Sequence, residues 1–135
     1  MKMKLNLKTL LSLSLVMLSV GCANVQPGSD KLVVRAEQTR AAATETFNSF
    51  VVFEYTNREA LWKSSKEIKH TADYVRAYGK SAIEELTKSI ETYKVLKTSN
   101  SSGALNNNII VVTDILTRAV TVYTQGRAAL MEANK

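Results

Sequence analysis

From Leu105 to Leu130 an apolar or small residue recurs every three or four positions: Leu105, Ile109, Val112, Leu116, Ala119, Tyr123, Gly126 and Leu130. Residues three and four apart share a face on a helix, whereas alternate residues share a face on a strand. Local composition pulls the other way. Asn108 to Thr113 and Val120 to Thr124 are rich in β-branched side chains, which suit a pleated surface. The spacing holds without a miss over 26 residues and outweighs that preference. Asp114 and Arg118, four apart, add a helical ion pair.

Two further stripes precede this one. No glycine or proline interrupts Lys31 to Lys66, and Leu32, Ala36, Ala43, Phe47, Phe50 and Leu61 recur at helical spacing, with Val33, Val51 and Phe53 alongside. Ser29 or Asp30 supplies an N-cap, and Glu37/Arg40, Glu54/Arg58 and Glu59/Lys63 are spaced as helical ion pairs. These features predict a helix over about 30–63. Trp62-Lys63-Ser64-Ser65 breaks the pattern, and Ser65 can cap the next helix. The second stripe is Ile68, Ala72, Val75, Gly79, Ala82, Leu86, Ile90, Tyr93 and Leu96, with Lys80/Glu84, Glu84/Lys88 and Glu91/Lys94 on its polar flank. It predicts a helix over about 66–98, kinked or split at Gly79, where glycine costs about 1 kcal/mol relative to alanine. Thr98-Ser99-Asn100-Ser101-Ser102-Gly103 has the composition of a turn, with Ser101 or Ser102 capping the third helix. Three helices of about 30 residues span about 45–50 Å each. Short loops make sequential helices antiparallel. The expected fold is an all-α, up-down-up antiparallel three-helix bundle over residues 30–135.

The start of the chain has a different character. Lys2, Lys4 and Lys8 precede twelve uncharged, mostly apolar residues from Thr9 to Val20, and small Gly21 stands before Cys22. This is the order of a secretory signal. Twelve residues fall short of the roughly 20 that span a bilayer as a helix. Leu18-Ser19-Val20-Gly21-Cys22 resembles the lipobox of bacterial lipoproteins, although Ser19 stands where the family usually has a bulky aliphatic residue. The resemblance implies cleavage between Gly21 and Cys22 and lipidation of Cys22. It divides the chain into a signal peptide (1–21), a lipidated cysteine and tether (22–29) and the bundle. Ala23, rather than aspartate, follows the cysteine. In a two-membrane host this resembles the signal for the outer membrane, facing the periplasm. The lipid would be the anchor to the cell envelope, since each buried CH₂ contributes about 0.8 kcal/mol and stable attachment takes more than one chain.

Val33-Val34-Arg35-Ala36-Glu37-Gln38-Thr39, then Phe47 through Phe53-Glu54-Tyr55 with Asn57-Arg58 and the apolar last helix, resemble small helical lipoproteins encoded in bacterial and phage genomes. That family has no assigned activity. The resemblance implies an α-helical lipoprotein and supplies no catalytic residues.

Charge and chemistry narrow the function. Net charge is +6 for the whole chain. Three of the 18 basic residues and none of the 12 acidic ones precede Cys22, so the remainder carries only +3. This mild, mixed surface does not suggest a nucleic-acid partner. One histidine, His70, and one cysteine cannot supply the usual ligands of a zinc site. No G-x-S-x-G elbow, P-loop or dinucleotide fingerprint occurs. No cofactor, metal or small-molecule substrate is expected, and an enzyme is disfavoured.

Two local features remain. Glu54 and Arg58 lie among the aromatic residues of the first helix. They read either as an exposed pair contributing a few tenths of a kcal/mol or as a buried structural pair that sets register with Asn57. Trp62, beside Lys63 at a helix end, reads either as an anchor for a partner or as the edge of the core. It would stand far from the membrane, whereas Ser99 to Ser102 would lie near it without an aromatic or basic cluster. The expected function is a lipid-anchored, non-enzymatic interaction module that binds another envelope protein. The alternative is a phage or mobile-element lipoprotein that modifies the envelope, as in superinfection exclusion or lysis.

Overall fold

A computed structural model of the chain describes residues 29–133. These form three helices, α1 (Lys31–Ser64), α2 (Lys66–Leu96) and α3 (Ser99–Glu132), with no strand among the described residues. The expected signal peptide, with Gly21, and the expected lipidation site and tether from Cys22 to residue 28 lie outside the described residues.

Each helix begins at a residue whose side chain accepts from one or two of its free amide groups. The Asp30 carboxylate accepts hydrogen bonds from the Leu32 and Val33 amides at 2.9 and 3.4 Å. Ser65 is the whole joint between α1 and α2. It is extended, its amide donates to the Leu61 carbonyl, and its hydroxyl accepts from the Glu67 and Ile68 amides. The next connection corrects the sequence reading. Lys97, in the left-handed region at φ 49°, ends α2, and Thr98 caps α3. Thr98 and Ser101 exchange backbone–side-chain hydrogen bonds in a capping box. The polar residues from Ser99 to Gly103 therefore form the first turns of α3, and the turn itself contains only Lys97 and Thr98.

Contacts between helix ends establish the topology. Tyr93 Oη donates to Asp30 Oδ2 at 3.0 Å, joining the end of α2 to the start of α1. Leu61 reaches Gly126, joining the late parts of α1 and α3. Thus α1 and α3 run together and α2 runs back between them, the expected up-down-up order.

The core has two clusters along this axis. Ala36, Ala43, Leu86, Ile90, Leu105, Ile109 and Val112 fill the end near Asp30. Phe50, Leu61, Ile68, Ala72, Val75, Ile115, Ala119 and Val122 fill the other. Burial of one large aliphatic side chain contributes about 1.5–3 kcal/mol. In α3 the deepest positions include Ile115 and Val122, while Leu116 and Tyr123, one residue later, are half-buried. A helix packed against two neighbours buries a face wider than one column of residues. Val51 and Leu96, placed with the stripes by spacing, are exposed.

Gly79 does not break α2, which runs continuously from Lys66 to Leu96. A β-carbon at Gly79 would overlap the ring of Phe47. The glycine provides room for an aromatic ring from α1. The strand-forming threonines of α3 are also accommodated. Thr113, Thr117, Thr121 and Thr124 each donate Oγ1 to the carbonyl four residues earlier, at 2.7–2.9 Å.

Candidate functional site

The far half of the α1–α2 seam combines buried charge with exposed aromatic residues. Glu54 follows Phe50 by four positions, so α1 carries it onto the core-facing side, where it is 2% exposed. Arg58 lies one turn later. Its Nε and Nη2 donate to Glu54 Oε1 and Oε2, both at 2.8 Å. From α2, Arg76 Nη1 donates to Glu54 Oε1 at 3.0 Å, while its Nη2 reaches Asp73 at 2.6 Å. Two carboxylates and two guanidinium groups thus form a neutral cluster with its most deeply buried member satisfied. The hydrogen bonds that Arg58 donates to Glu54 also push its guanidinium above its already high range.

Sequence spacing identified the Glu54–Arg58 pair but not Arg76, which lies 22 residues from Glu54. The available signal was the gap in the first apolar stripe between Phe50 and Leu61, which Glu54 occupies. Asn57 takes no part. Its Nδ2 donates to the Phe53 carbonyl at 2.8 Å.

Arg58 also connects this cluster to the surface. Its guanidinium carbon lies 5.7 Å from the ring centres of both Tyr55 and Trp62. From α2, Lys69 Nζ stands 4.8 Å from the Trp62 ring centre. Such contacts favour a cation through the negative face of the aromatic ring. Trp62 remains 37% exposed and Tyr55 75% exposed. Together with exposed Val51 they follow one edge of α1 at steps of four and seven. Trp62 belongs to neither core cluster.

The edge continues toward Asp30 as a shallow groove of about 580 Å³ beside Arg40, Thr44, Asn48 and Thr87. By contrast, the gap around Phe47, Gly79 and Leu116 in the core is about 10 Å³, at the lower limit for one water. Other exposed apolar residues, including Val52, Ile110 and Met131, are distributed among the helices. His70 is exposed on α2.

The chain matches no protein-family model, no curated protein and no solved structure.

The site's residue types suit recognition. Tyr55 and Trp62 offer apolar surface with polar atoms, and two cations stand over the Trp62 ring. Among the described residues no group of three His, Cys, Asp or Glu side chains is placed to hold a metal ion. No described helix is long and apolar enough to cross a membrane.

Proposed function

We propose that this protein is a lipid-anchored, non-enzymatic interaction module of the bacterial envelope, and that it binds another envelope protein along the Val51–Tyr55–Trp62 edge. The observation carrying this reading is the exposed aromatic pair braced by Arg58 and Lys69. Aromatic and arginine side chains are enriched at the energetic centres of protein interfaces. Support for anchoring comes from the basic, apolar and small-residue sequence ending at Gly21-Cys22. The edge also lies toward the end of α1 remote from Asp30, where the described chain joins the segment leading back to Cys22. In this reading the partner-binding edge projects away from the lipid.

Two measurements separate anchoring from binding. Labelled palmitate is expected in the native chain and absent from Cys22→Ser, and equal labelling would reject lipidation. A photoreactive side chain at position 55 is expected to give a discrete adduct in the protein's own membranes. Trp62→Ala should weaken that interaction by about 2 kcal/mol while leaving the melting temperature nearly unchanged. Loss of stability with the adduct retained would instead make Trp62 an edge of the core.

A further inference from the structure

The opposite end of the bundle carries another exposed apolar pair. Val95 and Leu96, in the last turn of α2, are 80% and 58% exposed. The left-handed Lys97 comes next and turns the chain toward α3. Lys97 and Lys31 are exposed at this same end. Tyr93 ties it to the start of α1 through the hydrogen bond to Asp30. In the same last turn, Lys94 Nζ pairs with Glu37 at 2.7 Å and Glu91 at 3.6 Å. Lys31 and Lys97 have no acidic partner among the described ion pairs, although Lys97 lies close enough to Asp30 to help hold its carboxyl below the ordinary range.

We infer that Val95, Leu96, Lys31 and Lys97 form a foot that rests on an anionic lipid bilayer. Apolar side chains enter the interfacial layer, and flanking lysines attract its anionic headgroups. The chain itself argues for this occupant. Ser29 follows Cys22 by seven positions, so a lipid on Cys22 would lie within about 25 Å of the first described residue. Tyr93 fixes the adjoining start of α1 beside the foot. The anchor would therefore present this end to the bilayer and leave Trp62 at the other. This inference rests on the anchoring reading above, and it assigns the α2–α3 connection a lipid-facing role that Ser99 to Ser102 do not supply.

The test uses full-length lipidated protein in vesicles of phosphatidylethanolamine and phosphatidylglycerol with brominated acyl chains. Leu96→Trp and, separately, Val95→Trp are made in a Trp62→Phe background. The native chain provides the reporter at the far end. The protein is expected to float with the vesicles, and fluorescence from position 95 or 96 should fall roughly twofold relative to unbrominated lipid, as an interfacial residue would. Emission from native Trp62 should not change. Flotation without quenching at either position overturns the foot and leaves anchoring intact. Failure to float overturns both. Protection of either position from aqueous iodide without quenching by brominated lipid shows a protein covering this end and also overturns the foot.

Discussion

The ring of Phe47 occupies the space where a β-carbon on Gly79 would stand. This one contact couples the middle of α1 to the middle of α2. Gly79→Ala gains about 1 kcal/mol in helix propensity, but overpacking typically costs about 1–3 kcal/mol. We expect net destabilisation, relieved in Gly79→Ala/Phe47→Leu. Denaturant midpoints across the four-member cycle measure the coupling.

The Glu54 cluster is expected to respond asymmetrically. Arg76→Ala leaves a nearly buried carboxylate with Arg58 alone and should cost about 1–3 kcal/mol. Glu54→Met removes the buried charge and frees two guanidinium groups that are partly exposed already. It should lie within about 1 kcal/mol of the native protein, because an apolar replacement of similar volume also removes the burden of desolvation. Chemical unfolding of both variants checks the order. A larger loss for Glu54→Met would show that the cluster contributes more stability than its exposure suggests.

Adjacent residues in α3 should differ sharply. Ile115 is 5% exposed within the far core cluster, whereas Leu116 is half-buried against the other. Ile115→Ala should cost about 2–5 kcal/mol. Leu116→Ala should cost about 1–2 kcal/mol, because part of its surface is already in water. Thermal melts of the two variants test the rotation of this helix.

The cap of α1 predicts a response to acid. The Leu32 amide is the largest influence holding the Asp30 carboxyl below its ordinary value of 3.8, with help from Tyr93, Val33 and Lys97 and opposition from desolvation. The unfolded state therefore binds more protons as pH falls through this window. The stabilisation is complete above the ordinary value and disappears as pH falls through the lowered folded value. Asp30→Asn retains capping ability without this titration. The stability difference between native protein and Asp30→Asn should shrink across that acidic window, which unfolding curves measured at successive pH values would track.

Much of the fold is legible in the three stripes, because a packed helix leaves an apolar residue every third or fourth position. Asp30 and Ser65 also act as the helix starts that their side chains allow. The Ser99–Gly103 region misleads because serine and glycine favour turns in isolation, whereas reciprocal bonds between Thr98 and Ser101 start a helix there. Gly79 misleads for a different reason. Propensity describes a glycine alone, whereas its role here depends on Phe47 more than 30 positions earlier. The candidate site was visible as Glu54, Arg58 and Trp62 because two of them lie one turn apart and the third is the only tryptophan. Arg76 and Lys69 join them through packing of α2, a relationship absent from local spacing.

The threonines that bond back to their own helix have a consequence before the bundle has assembled. Their bonds to the carbonyl four residues earlier exist only once α3 is helical, and the segment Asn106 to Thr113 contains no charge or proline. Its Ile109-Ile110-Val111-Val112 run is well suited to pairing edge to edge with another extended chain. Separated from α1 and α2, core residues Ile109 and Val112 join the already exposed Ile110 and Val111 in one apolar run that is an aggregation hazard. Packing against those two helices therefore protects the chain from self-association as well as stabilising its fold.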